Sequence, residues 1–201
     1  MKVELRYAPL PWIGALAWHY WFVVCDDAGR HRWEVWQTKN AGGWCIGHVH
    51  RDLKHPDDGV GGGPSRLVRQ WDGQAASRIA QVLNEVKTYP YCQRYRYWPG
   101  PNSNTFVAWV GREVPELRLH LPPTAIGKDY LPNGVPVGRT PGGRGGQLSV
   151  LGLAGVLAGW DEGVEVNVLG LTFGLDVLNP ALKLPVAGRL GVTPSHAREA
   201  R

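Results

Sequence analysis

The chain has 201 residues, 43% of them apolar and 19% charged, with 27 glycines, 16 prolines and a formal charge of +5 at neutral pH. A chain this long can bury a core without staples. Its aromatic, charge-poor composition excludes intrinsic disorder, and its Gly and Pro content excludes an all-helical bundle. Basic residues are spread along the chain with no Lys/Arg block, so nothing marks a phosphate-tracking surface and no nucleic-acid partner is expected.

From Tyr7 to Cys25 there is no Asp, Glu, Lys or Arg. Pro9, Pro11, His19 and the aromatics Trp12, Trp18, Tyr20 and Trp21 interrupt this run, so it suits neither a membrane helix nor a signal peptide. Its second half reads as a buried strand. Three cysteines without a CxxC pair argue against a disulfide framework and for a reducing compartment. A soluble, cytoplasmic protein is expected, with a membrane association as the lesser alternative.

Leu16–Val24 and His31–Trp36, joined by the turn-rich Asp26-Asp27-Ala28-Gly29, predict a hairpin. Residues 44–50 (WCIGHVH) predict a third strand, 54–64 a loop, and 65–71 a fourth strand. Asp72 then reads as a helix cap. Ala75, Ala76, Ile79, Val82, Leu83 and Val86 follow at helical spacing and end before Pro90. Phe106, Val107, Trp109, Val110 and Val114 predict a second, short helix, which stops before Pro115. Residues 115–146 are Pro/Gly-rich connection. Beyond them, two apolar runs flank Trp160-Asp161-Glu162-Gly163, which predicts a β-hairpin. The order of strands, helices and strands is an α+β pattern. It divides into a core at 1–146 and, at 147–201, a hairpin tail packed on that core, with a flexible C-terminus.

Pro99-Gly100-Pro101 leads into Asn102-Ser103-Asn104-Thr105-Phe106 at the start of the second helix. A side chain there sits at the positive end of the helix dipole, beside unpaired backbone N–H groups that suit a developing oxyanion. The simpler role for Asn102 or Ser103 is to cap the helix. His48-Val49-His50 places two imidazoles on one strand face, but two ligands do not make a metal set, and no metal site is assigned. The two glycine clusters lack a following GK[ST] and read as loops. The Arg94–Trp98 segment offers Tyr95, Tyr97 and Trp98 as the wall of a binding groove.

The string Asn102-Ser103-Asn104-Thr105-Phe106 resembles the Asn-Cys-x-His-Phe helix start of circularly permuted papain-like proteins. These are the NlpC-type peptidases, the PPPDE peptidases and the lecithin-retinol-acyltransferase group. Trp18-His19-Tyr20-Trp21-Phe22-Val23-Val24 is similar to their early histidine strand, and Tyr95 or Tyr97 to a tyrosine that recurs before the nucleophile. The strings PGPNSNTFVAWV and PPTAIGKDYLP resemble an uncharacterised bacterial family of unknown function. The papain-like resemblance implies an α+β core in which Ser103 replaces the nucleophilic cysteine. His19 would be the base and Glu34 or His48 would orient it, with Asn102 or Asn104 beside the oxyanion. Two functions follow. One is a serine-variant hydrolase or acyltransferase acting on an amide, ester or thioester. The other is an inactive module binding a small molecule or peptide in the same groove. Neither requires a cofactor.

Overall fold

The computed structural model describes residues 1–61, 63–132 and 135–192. The front of the chain forms β1 (Lys2–Pro9), β2 (Trp18–Asp26), β3 (Gly29–Val35), β4 (Trp44–Ile46), β5 (Val49–Arg51) and β6 (Arg66–Asp72). They make one antiparallel sheet in the order β4-β5-β3-β2-β1-β6. β2 is central and buried on both faces from His19 to Val24. That is why it reads as an unbroken aromatic and β-branched run rather than an alternating one. Tyr20, Phe22 and Val24 point into the main core, with α2 (Ser103–Glu113) packed over β2 and α1 (Gly73–Asn84) over β1 and β6. His19, Trp21 and Val23 point to the opposite face, where Trp21 donates to the Pro56 carbonyl of the covering loop.

The second sheet is a meander of β7 (Val137–Arg139), β8 (Gly145–Val150), β9 (Ala154–Gly159), β10 (Gly163–Val168), β11 (Leu171–Asp176), β12 (Ala181–Leu184) and β13 (Gly188–Gly191). Each strand pairs antiparallel with the next. The chain is therefore mostly β, with two helices among the described residues, and the expected α+β, papain-like core does not form. The expected hairpin tail is instead a seven-stranded sheet. The turn at Trp160–Glu162 is where it was predicted, but each flanking apolar run folds back on itself once more. Those extra turns sit at Leu151-Gly152 (φ 52° and 70°) and Leu169-Gly170 (φ 52° and 80°). Positive φ at both central residues is the hairpin turn that usually carries Asn-Gly or Asp-Gly. Leucine at the first position hid both turns. The long strand expected over 44–50 likewise breaks at Gly47 into β4 and β5, and β1 carried no sequence signal strong enough to name it. Residue 147, the expected core–tail boundary, falls inside β8. The flexible C-terminus expected for the chain end lies, over 193–201, outside the described residues.

The segment from Leu117 to Tyr130 lies between the two sheets. Leu117, Leu119, Leu121 and Ala125 enter the main core, while Lys128 and Asp129 turn toward the second sheet. The inner face of that sheet is polar. Glu165 is buried between Lys128 and Lys183, the latter at 2.5 Å. Asp129 accepts from the Asn167 amide at 2.8 Å, and Arg112 of α2 donates to Gln147 at 3.0 Å. Burial pushes the Glu165 carboxyl up, but the two ammonium groups outweigh it and hold the acid below its ordinary range.

Candidate functional site

Asn102 caps α2. Its side-chain carbonyl accepts the amides of Asn104 (3.0 Å) and Thr105 (3.3 Å), and its own amide donates to Thr105 Oγ1 (3.1 Å), a complete capping box. Ser103 is thus the first helical residue and its hydroxyl has no capping role. The first-turn amide of Ser103 has no intrahelical acceptor by geometry. Replacing Asn102 by alanine is expected to cost about 1–2 kcal/mol. A thermal melt should show this as a fall of several degrees for a chain of this size.

Residues 124–127 clasp the start of α2 to the start of β2. The Asn104 amide donates to the carbonyls of Trp18 and Ile126, both at 2.9 Å. Asn102 donates to Ile126 (3.1 Å), Thr105 donates to Gly127 (2.8 Å), and the Trp18 amide donates to Thr124 (3.0 Å). Gly127 is required here: its φ is 96°, and a Cβ would stand 2.4 Å from Asn102 Oδ1. The clasp brings Ser103 and His19 to one cavity of about 200 Å3.

His19 and Glu34 share a sheet face through strand alternation, and their Nε2 and Oε2 atoms are 2.8 Å apart. The Arg32 guanidinium donates to the same carboxylate oxygen at 2.7 Å and lies 3.9 Å over the Trp21 ring. Arg32 and Glu34 are both fully buried. Burial pushes the Glu34 carboxyl up. The hydrogen bond and charge of His19, with the Arg32 guanidinium, outweigh burial and keep the acid below its ordinary value. An ionised Glu34 accepts from Nε2–H, which leaves Nδ1 as the basic nitrogen of His19.

Tyr95, Tyr97, Trp98, Asn102 and Asn104 line the same cavity as His19 and Ser103. Tyr97 donates to Gln37 across it. His48 is set back from it: its Nδ1 faces the Trp36 carbonyl at 2.9 Å and its ring stacks on Tyr95. Of the two residues expected to orient His19, Glu34 is the one in contact with it. His50 points both ring nitrogens at backbone carbonyls, those of Gly42 and Thr38. Among the described residues no group of three or more His, Cys, Asp or Glu is placed to hold a metal ion. No helix among them is long and apolar enough to cross a membrane.

Sequence reasoning missed the apolar lining: Leu10, Ile13, Ala17, Val60 and Ile126. It also missed Arg32. Ile126 had a signal, since it lies in the PPTAIGKDYLP string; the loop 10–17 had none, because its lining role depends on where β1 and β2 place it. Ser103 Oγ lies 3.5 Å from Asn104 Oδ1, a long hydrogen bond.

Fold and site define a mostly-β protein in which a helix-start serine and a histidine line one apolar cavity, the histidine backed by a buried carboxylate–guanidinium pair. Residues 1–130, which contain every one of these groups, match the DUF3750 family of proteins of unknown function, and the chain belongs to that family. No curated protein and no solved structure matches it.

Proposed function

We propose that the cavity catalyses acyl transfer from, or hydrolysis of, an uncharged amide, ester or thioester. The observation that carries this reading is the release of Ser103 from capping, at a helix N-terminus, in the same cavity as a histidine whose Nε2 is held by Glu34. In this scheme Ser103 Oγ attacks the carbonyl carbon and its proton passes to His19 Nδ1. The carbonyl oxygen becomes an anion facing the first-turn amide of Ser103. Collapse expels an amine, alcohol or thiol, which takes the proton back from His19. Water or an acceptor nucleophile then releases the acyl group from Ser103. Glu34 and Arg32 act as positioning residues, fixing the tautomer and orientation of His19. The aliphatic and indole lining favours an apolar acyl or aromatic group beside the reacting carbonyl.

A second reading, a ligand-binding module, is favoured by one observation. The Ser103 hydroxyl donates to Asn104 rather than to His19. Incubation with a fluorophosphonate separates the two. Acyl-transfer chemistry predicts a single adduct on Ser103, located by peptide mass spectrometry. Absence of an adduct, with saturable binding of a neutral aromatic ligand, supports the module.

A further inference from the structure

The second sheet has reversed polarity. An antiparallel sheet with one wet face ordinarily buries its apolar side and hydrates its polar side. Here Gln147, Ser149, Glu165, Asn167, Thr172 and Lys183 face inward and are buried, while the alternate positions face outward and are aliphatic or aromatic. The central strand β10 presents Val164, Val166 and Val168, each 43–52% exposed. On the outer face, the one charged side chain carried by a strand among the described residues is Arg139, on the end strand β7, and Arg144 lies at the face's border. A contiguous apolar face of this kind is not stable in water uncovered.

We propose that a second copy of this chain covers it, the two outer faces packing as a sandwich about a two-fold axis through β10. Three observations favour this occupant. The first is steric. On one side of β10 the outward residues are small, Ala154, Val156 and Ala158 on β9; on the other they are large, Leu171, Phe173 and Leu175 on β11. A two-fold axis along β10 sets β9 of each copy against β11 of the other, so that small faces large and the gap between sheets stays even, as an isologous interface requires. A groove of about 350 Å3, lined by Ala158, Gly159, Gly163, Val164, Val177 and Leu178, adds relief at one end of the face. The second is area. At roughly 150 Å2 for a fully exposed side chain of this size, the half-exposed apolar residues present on the order of 800 Å2, which is what a stable pairwise interface buries per partner. The third concerns the rival occupant, a lipid surface. Among the described residues β7 and β13 are the end strands, whose outer backbone groups stay wet at the rim of a sandwich but would lack partners in hydrocarbon. Lipid-binding faces also carry several Lys and Arg along their border; among the described residues this one has Arg139 and Arg144, the latter paired with Asp161 at 3.4 Å.

Sedimentation equilibrium on the full chain tests the proposal. The wild type should sediment at twice its 22.2 kDa chain mass. Val166→Glu combined with Phe173→Glu places one carboxylate at the axis and one beside it, and should raise the dissociation constant about a hundredfold or more. These side chains face outward and belong to neither buried core cluster, so far-UV circular dichroism should be unchanged. Should the double variant misfold, the triple replacement Val164→Thr, Val166→Thr and Val168→Thr keeps shape and β-propensity and should still weaken the dimer about tenfold. A wild type that is monomeric at every concentration overturns the proposal. So does a monomer that floats with vesicles of phosphatidylcholine and phosphatidylglycerol, which assigns the face to lipid. A dimer that survives both sets of substitutions overturns it as well, by placing the interface elsewhere.

Discussion

Replacing Ser103 by alanine is expected to abolish fluorophosphonate labelling and to lower turnover of an activated ester by a thousandfold or more, on the order of what removal of a nucleophile costs. Folding should barely change. The lost hydroxyl makes one long bond, to Asn104 at 3.5 Å, and carries no part of the capping box. A neutral bond of that length contributes at most about 1 kcal/mol, or some 2–4 °C in a chain of this size. Ser103→Cys should introduce reactivity toward iodoacetamide at this position, because a helix N-terminus and a neighbouring histidine favour the thiolate. The cysteines Cys25, Cys45 and Cys92 are the internal controls. An alanine variant that still labels at its wild-type rate would remove Ser103 from the chemistry and leave the cavity as a binding site.

Glu34→Gln is expected to have the largest effect on stability. Glutamine keeps the shape of the side chain but removes the charge that compensates Arg32. The guanidinium is fully buried, and its other acceptors are the carbonyls of His55 and Asp58. Leaving one partner of a buried pair uncompensated costs about 3–5 kcal/mol, a fall of roughly 10 °C in melting temperature. The pH dependence gives the sign. The Glu34 carboxyl is held below its ordinary value of 4.5, so its contribution is fully present above that value and is lost as pH falls through the lower, folded value. Asp57, Glu165 and Asp176 are depressed as well and act in the same direction, while buried Glu162 is raised and opposes them. The difference between wild type and variant isolates Glu34. It should be constant from pH 8 to about pH 5 and shrink below that. Turnover separates positioning from mere support: the variant should lose kcat with KM little changed, and Glu34→Asp should recover part of it. A variant as stable as the wild type at pH 7 would show that Arg32 does not depend on this carboxylate.

The local elements of the first sheet were legible because each carries its own period. Leu16–Val24 and His31–Trp36 read as a hairpin, and β2 and β3 are that hairpin. The helix spacing from Ala75 and the stop before Pro115 both hold. The motif around Asn102–Phe106 was visible too, because capping chemistry is confined to four consecutive residues. So was the company of His19 and Ser103 in one cavity, along with the aromatic wall of Tyr95, Tyr97 and Trp98. The architecture was not. Strands and helices in that order suit an α+β layer, and a short motif likeness cannot separate that from two antiparallel sheets.

The sequence by itself determined what depends on neighbours along the chain: the hairpin, the helix limits, the loop at 54–64, and a serine at a helix start. Tertiary structure decided three things that depend on distant partners. It decided that Asn102, not Ser103, caps α2, because Asn102 is also fixed by Ile126 and packed under Gly127, 24 and 25 positions away. It decided that Glu34, not His48, meets His19, because strand register places one on the shared face and turns the other toward Trp36. And it decided the polarity of the second sheet. Alternation along β10 says only that Val164, Val166 and Val168 share one face and Glu165 and Asn167 the other. Which face is buried was settled by Lys128, Asp129 and Lys183, whose charges need buried partners and draw the polar side inward.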